Sequence, residues 1–405
     1  NCQAIATAGH PVVYGEWLRA GPAAPTVLVY AHYDVQPVEP LELWETPPFE
    51  PDIRGGNLYA RGAIDDKCGA FVNLVVFEAL LATAGALPIN IKLMFEGEEE
   101  SGSPAMEPFV REHKELLRAD LLLICDGGSL PDQPLIFYTA RGIVDAEVRV
   151  TGPDHDLHSG LYGGVVQNPI HVVAAIIAAL HDRSGRIQIP EFYSAVRPLD
   201  GAEQAAIAGQ EAAFAAMFRE ETKLEHSWAT ELGSLVTRAT ALPTCDVNGV
   251  WGGYQGVGGK TIIPAEAGFK VSMRLVPDQD PHAVLESFGR FVRGFASDTA
   301  RISIRTGAAS YPATLLSRGP VIEALQQAFQ ATWGRPALLY RQGGSVPIMG
   351  MFQRELGMDL ATLGFGTGDN GHAPNEYLII EHFFRGIATA LHFYDNLRAQ
   401  ARTNP

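Results

Sequence analysis

The sequence predicts an α/β fold with a second, α+β domain inserted into it, and three observations carry that prediction. Apolar runs at 26–31, Ile89–Phe95 and Asp120–Cys125 each end on histidine or carboxylate residues, with helical patterning between them. Such runs are what a mostly parallel sheet with covered faces requires, and its strand ends are where ligands collect. After Arg141 the texture changes to strict alternation, as at Val144–Val150, which marks strands covered on one face. Signals suited to the first domain then return from about Val321.

Taken in order, 26–31 is a buried strand that delivers His32 and Asp34 to its tip. Residues 44–51, WETPPFEP, form a proline-rich loop, and Asn57–Gly62 carries a short apolar pair before a turn. Asp66–Leu81 is helical, Ile89–Phe95 is a strand closed by the polar run EGEEESGS, and Asp120–Cys125 runs into Asp126. Beyond Arg141 come an apolar helix at 168–180, an Ala-rich amphipathic helix at 202–218, a strand at 267–276, a helix near 281–295 and alternation at 302–304. A helix from Val321 to Trp333, a strand at 359–365 and a long helix from Glu376 to about Leu397 complete the first domain. The expected division is 1–140 with 314–405 as one domain and 141–313 as the insertion, with hinges near 141 and 313. Insertion at a surface loop is physically cheap because the ends of the inserted piece can lie close together.

The bulk properties narrow the function. At 405 residues the chain is longer than one hydrophobic core usually supports. A formal charge of −16 without a Lys/Arg cluster argues against a nucleic-acid partner. Cys2, Cys68, Cys125 and Cys245 have no paired short spacing, which fits neither a disulfide framework nor a CxxC zinc site. A reducing, cytoplasmic location is the expectation. No apolar run approaches 18 residues, so no membrane span is expected. The chain opens at Asn1 without Met, and upstream residues are expected to be missing.

The chemistry concentrates at the strand ends. Alternation puts His32 and Asp34 on one side of an extended backbone, so His32 can offer a ring nitrogen to a metal while Asp34 fixes its tautomer. His-x-Asp alone is equally a solvated strand end. Asp65 and Asp66 lie between a turn and a helix start, where one carboxylate could be a cap but two adjacent ones are harder to explain. Glu98, Glu99 and Glu100 repel unless cations or solvent relieve them. Asp126 precedes Gly127–Gly128, and His372 lies in the glycine-rich GTGDNGHAPNE. Two histidines and a surplus of carboxylates, without thiolates, suit Zn²⁺ or another first-row divalent ion, and two ions rather than one.

The motifs AHYDVQP (31–37), LYARGAIDDKCG (58–69), FEGEEESGS (95–103), ICDGG (124–128), DLHSGLYGG (156–164), GGKTIIP (258–264), MRLVP (273–277), GGSVP (343–347) and HAPNE near 372 follow one another along nearly the whole chain. In these the chain resembles the M20 family of metallopeptidases, specifically the branch of cytosolic nonspecific dipeptidases and carnosinases. The resemblance implies a di-zinc, aminopeptidase-like catalytic domain with an inserted lid that dimerises. It implies one zinc on His32, Asp65 and Asp126 and a second on Asp65, Glu100 and His372, with Asp65 bridging and a cis peptide between Asp65 and Asp66. Glu99 takes the place of the general base acting on a metal-bridging water, and Asp34 that of the residue orienting His32. Glu98 stands where relatives often have an apolar or small residue and is read as surface or supporting.

By the same resemblance, His158 crosses a dimer interface to stabilise the intermediate in the partner's site. Arg274 holds the substrate's C-terminal carboxylate, with Thr261 and the backbone around Gly344 and Ser345 completing that pocket. Taken as residues alone, His158 is equally a loop histidine and Arg274 a solvated strand residue. Cys68 and Cys125 read as small buried filler beside the ligands. The chain departs from the dipeptidases at TGAASYP (306–312), where Gly307 or Ala308 stands near the place of a second lid histidine. The implied activity is metal-dependent hydrolysis of peptide bonds next to a free C-terminal residue in dipeptides or short peptides, in a homodimer, with Mn²⁺ or Co²⁺ able to replace zinc. The alternatives are an N-acyl-amino-acid amidohydrolase, or a carboxypeptidase on longer peptides, with the same metal core. A non-catalytic homologue is disfavoured by the complete ligand set and Glu99.

Overall fold

In the computed structural model, which describes residues 1–130 and 132–403, the chain divides into two compact units. The first comprises Asn1–Tyr138, Thr314–Tyr340 and Met351–Pro405, and the second Thr139–Ala313 with Arg341–Gly350.

The first unit is built on a six-stranded sheet ordered Cys2–Ile5, Val12–Trp17, Asn90–Glu96, Thr26–His32, Leu121–Ile124, Asp359–Thr362. Thr26–His32 runs parallel to both of its neighbours, and Asp359–Thr362 parallel to Leu121–Ile124. The first two strands are antiparallel additions at one edge. They were not foreseen, because Gly15 interrupts the short apolar run of the second one. Val27 to Ala31 are wholly buried, as a strand covered on both faces must be. Val27, Leu28 and Val29 each contribute about 1.5–3 kcal/mol by leaving water.

The covering helices are Lys67–Ala84, Pro320–Trp333 and Ile380–Thr403, which supply Val72, Val76, Phe77, Leu325, Phe329, Phe393 and Tyr394 to one core with the strands. The last helix starts at Ile380, not Glu376, because Tyr377–Ile379 pairs as a strand with Asn57–Tyr59. Gly69, in the first turn of Lys67–Ala84, permits close approach: an added Cβ would lie 2.6 Å from the Cys125 carbonyl oxygen. By length and composition this helix is apolar enough to cross a bilayer, a correction to the reading that no apolar run approaches 18 residues. Lys67 and Glu78 interrupt the run in the sequence, while the 18-residue helix still averages apolar.

The second unit carries a four-stranded antiparallel sheet ordered Thr244–Gly252, Glu266–Leu275, Gly142–Thr151, Arg301–Ser310. Along Gly142–Thr151 the inward residues Val144, Ala146, Val148 and Val150 are buried and alternate with partly exposed ones. Helices Pro169–Ala179 and Pro281–Arg293 pack into the same core through Val172, Ile176, Phe288 and Val292. The long helix Gly201–Thr222 starts on a capping box made by Asp200 and Glu203.

One segment sits differently from the sequence reading, which left all of 314–405 with the first domain. Residues 341–350 group with the second unit. The reason is local bonding: Arg341 pairs with Glu203 at 2.8 Å, the Gly344 carbonyl accepts from the Arg141 N–H, and the Ser345 hydroxyl accepts from Arg274.

Candidate metal centre

Parallel strands end in the same direction, so Thr26–His32, Asn90–Glu96 and Leu121–Ile124 deliver their following residues to one edge of the first unit's sheet. His32 is fully buried there, with its backbone N–H donating to Asp66 Oδ2 at 3.3 Å. Its Nε2 lies 3.0 Å from Asp65 Oδ1, and the other carboxylate oxygen of Asp65 lies 2.8 Å from His372 Nε2. Asp65 therefore faces both imidazoles at once. The Asp65–Asp66 peptide is cis. His372 Nε2 is also 3.4 Å from Glu100 Oε1.

Two overlapping groups of potential ligands result, His32–Asp65–Asp126 and Asp65–Glu100–His372. Within each, one donor atom per residue lies within 4.8 Å of the others. The chain thus presents two clustered metal-ligand sites that share a carboxylate, the arrangement of a dinuclear centre.

The three consecutive glutamates, alike in composition, point to different surroundings. Glu98 lies against Gly9, Glu100 joins Asp65 and His372, and Glu99 is half-buried within the field of Asp126 and His32. Asp34 sets this turn: its two carboxylate oxygens accept from the backbone N–H groups of Glu99, at 3.2 Å, and Glu100, at 3.0 Å. The His32 Nδ1 lies 3.2 Å from the Asp34 carbonyl and 3.4 Å from its carboxylate. Asp34 therefore holds both the histidine and the glutamate pair. Gln36, unremarked in the sequence, donates to Glu100 Oε2 at 2.7 Å. Its only signal was membership of AHYDVQP.

The electrostatics are those of a site crowded with negative charge. Burial opposes protonation of His32, yet the carboxylates of Asp34 and Asp65 carry its value up to about 12. Burial raises Asp126 to about 6, with Asp65 and Glu100 adding to the rise. Burial and the charge of Asp126 push Glu99 up to about 8, and the same two causes hold Asp66 well above the usual carboxylate range. Asp66 also keeps a buried oxygen, Oδ1, without a hydrogen-bond partner. Divalent cations would relieve this crowding directly, and the oxygen and imidazole donors fit them. The nearby thiols are otherwise engaged: Cys68 donates to the Ile64 carbonyl, and Cys125 accepts from Asn73.

The remaining candidates lie in the second unit as two groups. His158 belongs to the two-residue strand Leu157–His158, which pairs with Ile262–Ile263 beside Thr261, whose carbonyl accepts from the Ser159 N–H. The His158 ring is exposed and accepts from the Gly160 N–H at 3.0 Å. Arg274 donates from Nη1 to Ser345 Oγ at 2.7 Å, and that hydroxyl donates to the Gly142 carbonyl at 3.2 Å. Arg141 was overlooked in the sequence: its backbone and Nε donate to the carbonyls of Gly344 and Gly343, which fixes this loop. Burial and the positive charge of Arg274 lower its guanidinium to about 10.

Comparison with known proteins adds an independent observation. The model of peptidase family M20/M25/M40 matches residues 28–396. The Cys-Gly metallodipeptidase of Candida albicans is 32% identical over 95% of this chain and 81% of the relative. The Beta-Ala-His dipeptidase of Homo sapiens is 29% identical over 95% of this chain and 77% of the relative. Among solved structures, an M20 family metallo-carboxypeptidase from Sulfolobus solfataricus superposes with a TM-score of 0.85 at 31% identity, covering 98% of this chain and 90% of its own. Human carnosine dipeptidase 1 superposes at 0.75 with 27% identity, covering 98% and 87%.

Proposed function

The chain belongs to peptidase family M20/M25/M40, and from that premise we propose that it hydrolyses the peptide bond next to a free C-terminal residue in dipeptides and short peptides. The observation that carries the reading is the pair of ligand groups sharing Asp65, with Glu99 beside them. The Cys-Gly and Beta-Ala-His dipeptidases among its relatives support a short substrate.

His32, Asp65 and Asp126 would hold one cation, and Asp65, Glu100 and His372 the other, with zinc the first choice and Mn²⁺ or Co²⁺ acceptable. Two divalent cations there supply carbonyl polarisation and an attacking water of lowered pKa. Glu99 removes the proton from that water and returns it to the leaving amine. Asp34 keeps His32 and the Glu99–Glu100 turn in place. Arg274, with Ser345, Gly344 and Thr261, receives the substrate's terminal carboxylate, and the Arg274–Ser345 bond leaves part of the guanidinium fork for it.

In this reading residues 1–140 and 314–405, less 341–350, form the catalytic domain, and 141–313 the lid through which a homodimer forms. The exposed apolar side chains Leu161, Val165 and Val257 support such an interface. His158 of the partner subunit would then stabilise the developing oxyanion. Four free thiols and the acidic surface support a cytoplasmic protein.

A carboxypeptidase acting on longer peptides is the second reading. It is favoured by the Gly307–Ala308 segment, where the Asp145 carboxylate accepts from the Ala308 N–H in place of a second lid histidine. Metal analysis tests the common core. Active protein should contain about two divalent ions per chain, and chelation should abolish hydrolysis, reversibly on adding Zn²⁺ or Mn²⁺. A metal-free preparation of full activity would overturn the proposal. Dipeptides assayed against tripeptides with the same C-terminal residue separate the two readings.

A further inference from the structure

Away from the ligands themselves, one buried ion pair joins the loops that carry them. Glu376 is wholly buried and Arg61 nearly so. Glu376 Oε2 accepts from Arg61 Nη1 at 2.7 Å and from the Gly62 N–H at 2.9 Å, while its Oε1 accepts from the Ile64 N–H at 2.9 Å. Its backbone carbonyl accepts from the Ala60 N–H. One carboxylate thus holds the whole turn that ends at Asp65. Glu376 also closes the loop that begins at His372, four residues earlier.

Arg61 extends the connection to a third loop. Its Nη2 donates to the Pro37 carbonyl at 3.2 Å, just beyond His32, Asp34 and Gln36. Gly62, at φ +80°, lets the turn pack against Val35, which an added Cβ would approach to 2.4 Å. The three loops bearing His32, Asp65 and His372 are therefore referenced to a single Arg–Glu pair that itself offers no ligand.

A buried ion pair contributes little net stability, since desolvation offsets most of the attraction, so burial alone does not account for this arrangement. Hydrogen-bond partners behind metal ligands, by contrast, commonly control affinity tenfold to a hundredfold. We infer that Arg61 and Glu376 are positioning residues that hold Asp65 and His372 in register with His32 and so set the affinity of the centre for divalent cations. The inference rests on the metal-dependent reading above.

The test is calorimetric titration of Zn²⁺, and separately Mn²⁺, into chelator-stripped full-length protein. Glu376→Gln keeps the shape but turns one acceptor into a donor facing a backbone N–H. It should weaken the cations bound through Asp65 by about tenfold to a hundredfold. A control, Phe393→Leu in the core of the same unit, loosens packing away from the three loops and should leave affinity near wild type. Wild-type affinity in a folded Glu376→Gln protein, or a loss no greater than in the control, overturns the inference. Should Glu376→Gln fail to fold, Arg61→Lys keeps the charge but cannot reach Glu376 and Pro37 together. It should then show a smaller loss in the same direction, and unchanged affinity there also overturns the inference. Failure of the wild type to bind either metal would instead refute the metal-dependent reading.

Discussion

In the first unit the candidate residues are buried or half-buried, apart from the exposed His372, and touch one another, whereas in the second they are more open and bond largely to backbone. His32, Asp65, Glu100 and His372 form a chain of contacts between 2.8 and 3.4 Å. The His158 ring accepts from the Gly160 N–H of its own turn, and Arg274 donates to the Ser345 hydroxyl. The difference teaches what each set is for. Carboxylates crowded around two imidazoles raise one another's affinity for protons and cations alike, so the first unit reads as a cation site. The exposed imidazole of His158 and the guanidinium of Arg274 are the groups on which the proposed recognition of partner and substrate would draw.

The largest expected effect tests the buried side. Glu99→Gln keeps the volume and removes the proposed base, and kcat should fall at least a hundredfold, within the range general bases contribute. Metal content should remain at the wild-type level. Loss of a metal instead would make Glu99 a ligand and move the assignment of Glu99 and Glu100 by one residue.

Next comes the exposed side. His158→Ala should lower kcat by about a hundredfold or more if the imidazole serves the partner's oxyanion. Mixing inactive Glu99→Gln chains with inactive His158→Ala chains, and allowing exchange, sharpens the comparison. In the mixed dimer one site has its own Glu99 and receives an intact histidine, so activity should return to as much as half of wild type per dimer. No recovery after confirmed exchange would place the action of His158 within its own chain.

Arg274→Ala should act more modestly. A charge-assisted contact to a carboxylate contributes about 1.5–3 kcal/mol, or roughly tenfold to a hundredfold. The preference for a free-acid dipeptide over its C-terminal amide should shrink by that factor, with the amide itself little affected. Equal rates on both substrates in the wild type would point away from a terminal carboxylate.

The same contrast explains what the sequence revealed. The first unit's candidate ligands were legible because most follow an apolar strand or sit in a glycine-rich loop, Asp65 standing instead beside a second carboxylate at a helix start, and strand ends converge by topology. The register within Glu98–Glu100 was not, since it is set by Asp34 receiving two backbone N–H groups from 65 and 66 residues away. Gln36, Arg141 and Glu376 were missed for a related reason: each acts on a partner far away in the chain, a side chain for Gln36 and backbone atoms for Arg141 and Glu376, that no local pattern announces. The edge strands at 2–17 and the grouping of 341–350 with the second unit also depend on long-range pairing.

The smallest prediction asks whether the second unit can be weakened without disturbing the first. Asp280 caps the helix Pro281–Arg293, its Oδ1 accepting from the N–H groups of His282 at 2.8 Å and Ala283 at 3.0 Å, and its Oδ2 accepting from the Tyr311 hydroxyl. Removing such a cap costs about 0.5–2 kcal/mol. Asp280→Ala should therefore lower the melting temperature by roughly 2–4 °C per kcal/mol for a unit of this size, while metal stoichiometry stays at the wild-type value. Partial burial works to raise the Asp280 carboxyl, but the backbone donors and Tyr311 hold it below its ordinary value. A depressed folded value means that its contribution is complete above the ordinary carboxylate range and fades as pH falls through that lower value. The melting difference between wild type and Asp280→Ala should accordingly be constant near neutrality and narrow in acid. If the variant lost metal as well as stability, the two units would not be energetically separate, and the contrast between them would fail.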